Sequence, residues 1–195
     1  MSSGLEELDD FPDPEWLVED VLAKNSICVI AGDGGHGKSW LSLALALSVA
    51  SGRDWLGHFK VKRGPVVYID QEKPGSLIKY RRNLLMSGMG LSYSELEPIR
   101  FILDREIDFF PMFDRYSHEG QRREVIDQLV EELKIWKPIL VIADSLRACH
   151  SGREDSSDDM RPVFQTIRKA IGEANSDAGT LIPHHTNKQG SYKAL

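Results

Sequence analysis

The sequence has few cysteines and no pattern of metal-binding side chains. Only two cysteines, Cys28 and Cys149, occur among its 195 residues, and they lie far apart. So few cysteines exclude a disulfide framework, and we expect buried thiols in a reducing compartment. There is also no HExxH motif and no Cys/His spacing of the kind that holds zinc, so the sequence does not predict a zinc site.

Long apolar runs and an excess of positive charge are missing as well. The longest apolar run, residues 41–50, is too short and too rich in serine and alanine to span a bilayer. The first ten residues are polar and acidic, unlike a signal peptide. The net charge of −6 argues against a surface that binds nucleic acid everywhere, although a local basic path is compatible with it. We therefore expect a cytoplasmic protein without a membrane partner.

The composition is that of an ordinary globular domain, with 41% hydrophobic and 28% charged residues. Apolar strand patterns alternate with helical patterns along the chain. The predicted strands are residues 26–31, 65–70, 99–103, 138–144 and 179–185, and the predicted helices are residues 38–51, 75–87, 119–134 and 160–174. This alternation predicts an α/β fold, with helices covering both faces of a mostly parallel sheet. Ligands of such sheets bind at the carboxyl ends of the strands.

Three segments outside this alternation have a composition of their own. Residues 1–14 are acidic and proline-containing, and they are predicted to be a flexible leader before a core of residues 15–195. Residues 15–22 form a short amphipathic segment, in which packing of Trp16 on the sheet edge is favoured over a place near a nucleotide base. Residues 151–159 are small, polar and acidic, which predicts a mobile loop.

A glycine-rich loop between the first strand and the first helix is the strongest functional signal. It fits the pattern G-x-x-x-x-G-K-[ST] of a P-loop, in the strand–loop–helix context that this motif needs. The alternative is a glycine-rich turn that matches by accident. In a P-loop the backbone N–H groups and the helix N-terminus bind phosphate, the lysine reaches the β- and γ-phosphates, and the serine hydroxyl holds Mg²⁺. The nucleotide-binding candidates are Gly32, Asp33, Gly34, Gly35, His36, Gly37, Lys38 and Ser39.

Carboxylates at the ends of two strands are the candidates for metal support and for catalysis. Asp144 ends an apolar strand, as does the second metal element of P-loop enzymes, although such a residue also caps turns. Glu72 follows another strand by two residues and is the candidate base that polarises a water for attack on the γ-phosphate. The alternative for Glu72 is a solvated acid at the start of a helix.

Polar side chains at the end of the last strand and two arginine pairs complete the set. His185 is a candidate for contact with the γ-phosphate, while His184 next to it must point to the opposite face, which makes the two a poor metal chelate. The arginine pairs at positions 81–82 and 122–123 lie on predicted helices. A solvated face is the favoured interpretation, and a subunit contact is the alternative.

Taken in order, four segments resemble the RecA-like ATPases of the plasmid RepA hexameric helicase type, an AAA-labelled branch near DnaB-type helicases. They are residues 32–39, 68–72, 141–146 and 184–188, and the resemblance covers about residues 14–191. It implies ATP and Mg²⁺ as cofactors, phosphate and metal binding by Lys38 and Ser39, activation of water by Glu72, and metal support by Asp144. His185 falls at the γ-phosphate-sensing position. The resemblance also implies a ring-shaped homo-oligomer that moves on single-stranded DNA.

The sequence departs from this family at its C-terminal end. Pro183 stands where the family has an aliphatic residue, and a proline is out of place in a central strand. The final residues, 189–195, resemble a shortened Arg-Gly-Ser segment without its arginine. The chain then stops where the family continues with further strands and an arginine finger. We therefore expect a C-terminally truncated core.

Two functions remain open on these observations, and a third fits poorly. The first is an ATP-dependent motor, a replicative helicase of plasmid or phage type. The second is a nucleotide-gated binding or regulatory module with little hydrolysis. The expected truncation would remove the arginine finger, which is worth about 10³–10⁵ in rate. A small-molecule kinase fits poorly, since no arginine-rich lid segment is present.

Overall fold

The computed structural model describes residues 9–103, 119–150 and 156–186, except for the side chains of residues 119–126 and 159. The strands are β1 (Trp16–Val18), β2 (Leu22–Ala23), β3 (Ile27–Gly32), β4 (Val66–Asp70), β5 (Ile99–Leu103), β6 (Leu140–Asp144) and β7 (Gly179–His185). The helices are α1 (Lys38–Ser51), α2 (Gly75–Met89), α3 (Glu119–Trp136) and α4 (Ser157–Ala174), with 3₁₀ turns at Tyr93–Leu96 and Leu146–Cys149.

Five strands form one parallel sheet in the order β3-β7-β6-β4-β5. Parallel strands are joined by helical crossovers, and here each step from strand to strand passes through a helix or a segment outside the described residues. The predicted α/β class with a parallel sheet is confirmed. All these strands end at the same edge of the sheet, which is where the polar segments of the sequence come together.

Helices cover both faces because alternate strand residues point to opposite sides. On one face, Tyr68 and Ile142 pack in a cluster with α1 and the end of α2. On the other face, Val67 and Val141 pack with residues of α3 and α4, among them Leu133. The first helix is apolar on most of its surface because it is buried between the sheet and α2.

Most predicted element boundaries agree with the structure, and one loop prediction does not. The bounds of α1, β5 and β7 are those predicted, and the other sheet strands and helices differ by one to three residues. The helix α4 begins at Ser157, so the mobile-loop prediction is wrong for residues 157–159. Residues 151–155, like residues 1–8 and the tail 187–195, lie outside the described residues.

The segment that contains Trp16 is an antiparallel ribbon of β1 and β2. It packs against the start of β7, where a Cβ at Gly179 would lie only 2.5 Å from Cδ1 of Leu17. A glycine at this position lets the ribbon approach the sheet closely. Because the ribbon lies at the amino ends of the strands, Trp16 is far from the carboxyl-end edge of the sheet. The residue Trp16 is 39% exposed.

Pro183 lies inside a central strand, contrary to the expectation that a proline there is out of place. In β7 the N–H of Thr180 donates to Ser26, the residue before β3, and that of Gly179 donates to the residue before β6. Odd-numbered N–H groups of β7 therefore face β6. Pairing with β6 extends only to Leu181. By this register the N–H that Pro183 lacks would face Ala143 of β6, so the proline removes the next hydrogen bond of this ladder, and the pairing of the two strands ends just before it.

Neither Cys28 nor Cys149 forms a disulfide; Cys149 is buried and Cys28 is half-buried. Within residues 9–103, 119–150 and 156–186, no helix is both long enough and apolar enough to cross a membrane.

Candidate functional site

The glycine-rich loop between β3 and α1 depends on two left-handed glycines. Gly35 has φ of +82° and Gly37 has φ of +81°, a region that costs other residues steric strain. Gly37 is also the N-cap of α1, and no side chain caps this helix. The N-terminal N–H groups and the positive end of the helix dipole thus face the loop, as anion binding requires.

Lys38 is buried within this loop, although its side chain is charged. Its ammonium group donates to the carbonyl oxygens of Gly32 at 2.6 Å and Asp33 at 2.8 Å. It also lies 3.3 Å from Nδ1 of His185, at the end of the neighbouring strand β7. The two residues that the sequence assigned to the γ-phosphate are therefore adjacent, because β3 and β7 are hydrogen-bonded neighbours.

The end of β7 is attached to the loop by a second side chain. The hydroxyl of Thr186 donates to Oδ1 of Asp33 at 2.6 Å, and its N–H donates to the carbonyl of Gly32 at 3.2 Å. Sequence reasoning did not single out Thr186 as a contact of the loop. The register of β3 against β7 places the two ends together, and that register is not visible in the sequence alone.

Two buried aspartates stand side by side at the ends of β4 and β6. Asp70 and Asp144 are partners in the parallel register, and both side chains are almost completely buried. The hydroxyl of Tyr68 donates to Oδ2 of Asp144 at 2.9 Å. Burial raises the pKa of Tyr68 well above its usual value, and the adjacent Asp144 charge raises it further, so the hydroxyl stays protonated and remains a donor.

Asp70 organises the turn that carries Glu72. Its Oδ1 accepts hydrogen bonds of 3.0 Å from the N–H groups of Glu72 and Lys73. Burial raises the pKa of Asp70, against the opposing effect of the Lys73 ammonium. This aspartate was not among the sequence candidates, although it ends an apolar strand as Asp144 does.

Glu72 is fixed in orientation and partly open to solvent. The hydroxyl of Ser145, the residue after β6, donates to its Oε1 at 2.6 Å. One third of the Glu72 side chain is exposed. A carboxylate that is held at Oε1 and partly exposed to solvent is suited to accept a proton from water.

Lys73 lies at the centre of three carboxylates. Its ammonium nitrogen is 3.2 Å from Asp70 Oδ2, 3.6 Å from Asp144 Oδ1 and 3.7 Å from Glu72 Oε2. Sequence reasoning missed this residue as well. Lys73 follows β4, and the strands β7 and β6 lie between β4 and the strand that precedes the loop. Its place at the same sheet edge as the loop is therefore a property of the strand order.

A cavity of about 220 Å³ joins the loop to this cluster. Positive side chains predominate in its lining, and Glu72 is the one carboxylate among the described lining residues. The lining residues are Gly35, His36, Gly37, Lys38, Ser39, Trp40, Glu72, Lys73, Arg81 and His185. The predicted phosphate-binding residues and the predicted base therefore face one space.

Arg81 lines this cavity, so the favoured interpretation as a solvated residue is wrong for it. Its guanidinium carbon lies 5.4 Å from the centre of the Trp40 ring, and its Nη1 is buried without a hydrogen-bond partner among the described residues. Arg81 follows the buried Ile78 by three residues, and this helical spacing was the signal available in the sequence. The half-buried Arg82 stacks on Tyr93 instead, and the side chains of residues 122–123 lie outside the described residues.

The donor set fits Mg²⁺, which prefers oxygen ligands and keeps several waters. Ser39 lines the cavity, and Asp144 lies behind Lys73 with one oxygen turned toward that ammonium group. Ser39 would hold the ion and Asp144 would orient its water shell. In the part of the chain that the structure describes, no three His, Cys, Asp or Glu side chains form a ready-made metal cluster.

Comparison with known families agrees with this geometry. The AAA domain family matches residues 5–191, nearly the whole chain. The chain belongs to the AAA domain family. Membership in the AAA domain family indicates nucleotide binding and hydrolysis, and it usually implies the use of Mg²⁺. The α/β sheet with its loop before α1 is consistent with the RecA-like P-loop architecture.

Proposed function

We propose that this chain is an Mg²⁺-dependent ATPase that works as a replicative DNA helicase or DNA-associated motor of plasmid or phage type. The observation that carries the proposal is the placement of Glu72 and Lys38 on one cavity, with Glu72 held by Ser145. We further propose a ring-shaped homo-oligomer with single-stranded DNA as its partner. Support for the ring and the DNA comes from the resemblance to RepA-type helicases.

The residues of the cavity divide the work in this proposal. The loop amides, Lys38 and Arg81 bind and orient the phosphates, and Glu72 accepts the proton of the attacking water. His185, in contact with Lys38, senses the terminal phosphate. Bound Mg²⁺ would neutralise charge that develops on the phosphate oxygens.

A nucleotide-gated binding module with little hydrolysis is the second candidate function. The observation that favours it is the ion pairing of Glu72 and Asp144 with the Lys73 ammonium. A base and a metal-supporting carboxylate that are both engaged in this way are not free for hydrolysis. The module would then act through the shape change that ATP binding produces.

Phosphate release with and without single-stranded DNA, measured beside particle mass with ATP, tests the proposal. We expect DNA-stimulated turnover that falls about 10²–10⁴-fold in Glu72→Gln while ATP binding is retained. The matched control is Glu97→Gln, an exposed residue away from the cavity. Binding without stimulated turnover would favour the module, and failure to bind ATP with Mg²⁺ would refute both functions.

A further inference from the structure

We propose that Lys73 switches between two sets of partners. Without nucleotide its ammonium group pairs with the carboxylates of Asp70, Glu72 and Asp144, and when ATP binds the ammonium group moves to the terminal phosphate. Its function is to make the site distinguish ATP from ADP. The inference rests on the proposed nucleotide binding and adds a role for a residue to which the resemblance assigns none.

The three carboxylates are arranged in the same way around Lys73. In each, one oxygen accepts from a fixed donor of the chain, namely backbone N–H groups for Asp70, Ser145 for Glu72 and Tyr68 for Asp144. In each, the other oxygen is the one closest to the Lys73 ammonium. The carboxylates therefore stay in place if the ammonium leaves, and only their second oxygens change partner.

The contacts of the Lys73 ammonium group with the carboxylates are long for a charge that is mostly buried. Of the three carboxylates, only Asp70 has an oxygen within hydrogen-bonding distance of Nζ, namely Oδ2 at 3.2 Å, whereas the 3.6 and 3.7 Å separations are ion pairs without a hydrogen bond. The Lys73 side chain is 18% exposed, and its four-carbon stem is flexible. Rotation about the side-chain torsions of Lys73 can move the ammonium group to a new position beside Asp70, without any movement of the backbone.

The cavity offers the ammonium a second anionic partner. Lys73 lines the same space as Lys38 and Arg81, so a terminal phosphate bound there lies among all three cations. A metal ion whose water shell is oriented by Asp144 would also repel an ammonium 3.6 Å from that carboxylate. Both effects favour movement of Lys73 toward the phosphate, and both are weaker with ADP.

Movement of Lys73 has a direct consequence for Glu72. Once the ammonium departs, Oε2 of Glu72 loses its ion pair while Oε1 remains bound to Ser145. Oε2 is then free of its ion pair and available to accept a proton from water. ATP itself would thus convert an engaged carboxylate into an available base.

Binding of ATP and of ADP to Lys73→Met, measured by calorimetry with Mg²⁺, tests the role. We expect ATP affinity to fall about tenfold or more and ADP affinity to fall less than about threefold, since a charge-assisted contact to the terminal phosphate is lost. Lys73→Arg should keep most of the ATP preference. The matched control is Lys79→Met on the exposed side of α2, which should change neither affinity.

Equal losses for the two nucleotides in a folded variant would overturn the proposal, because a merely structural lysine affects both alike. The wild-type chain provides a second measurement that needs no variant. The NMR signal of the Lys73 Cε group should shift with ATP and not with ADP, and equal shifts would also refute the role. A wild-type chain that binds neither nucleotide would instead refute the proposed function.

Discussion

The hydroxyl of Tyr68 donates a 2.9 Å hydrogen bond to Oδ2 of Asp144, and both side chains are buried. The bond runs diagonally between neighbouring strands, because the register partner of Asp144 is Asp70, two residues beyond Tyr68. It fixes the Asp144 carboxylate so that Oδ1 faces Lys73. A core tyrosine thus sets the orientation of a carboxylate in the candidate metal site.

Tyr68→Phe should lower the free energy of unfolding by about 1–3 kcal/mol, because it leaves a buried carboxylate oxygen without its donor. Urea unfolding followed by fluorescence measures the change. Tyr80→Phe is the control, since Tyr80 is 60% exposed. Equal stability of the two variants would contradict the prediction.

Gly35→Ala should destabilise the protein by about 1 kcal/mol and weaken ATP binding, because its φ of +82° is unfavourable for a residue with a Cβ. No atom lies within 4 Å of the added carbon, so the cost comes from the backbone alone. Gly34→Ala is a matched control with the same open space and no positive φ. Thermal unfolding and nucleotide titration of the pair separate the two contributions, and identical behaviour would refute the argument.

Ser145→Ala should reduce turnover about tenfold and leave ATP affinity nearly unchanged, because it releases the oriented Oε1 of Glu72. Single-turnover phosphate release measures the effect. In the Glu72→Gln background the same substitution should have no further effect. Independent, additive losses would show that Ser145 acts by another route.

Glu95 should titrate with a pKa of about 2, below its ordinary value of 4.5. The N–H of Ser92 lowers it most, followed by the Ser92 hydroxyl and then by Arg53. A lowered pKa means that this group stabilises the fold above pH 4.5 and that the contribution is lost as the pH falls toward 2.

An NMR titration of the Glu95 carboxyl carbon checks this value. Arg53→Met should raise the pKa modestly, because the two Ser92 donors remain. A carboxyl that titrates near 4.5 in the wild-type protein would show that the hydrogen bonds from the Ser92 N–H and hydroxyl to Glu95 do not form.

The sequence alone was sufficient for the fold class and for the position of the glycine-rich loop between β3 and α1. Strand and helix periods are local properties, so the bounds of α1, β5 and β7 followed from the order of apolar residues. The loop glycines are also a local requirement, since a positive φ at Gly35 and Gly37 restricts the residue type directly. Glu72 and Asp144 were accessible because each follows an apolar strand.

Only the tertiary structure decided which of these groups meet. The strand order brings Thr186 to Asp33 and aligns Asp70 with Asp144, and it gathers both aspartates and Glu72 around Lys73. It also shows the effect of Pro183, because the pairing of β7 with β6 stops at Leu181, just before the position where the missing N–H would donate. Strand order and register depend on contacts between residues far apart in sequence, and a local pattern of apolar and polar residues is the same for every order.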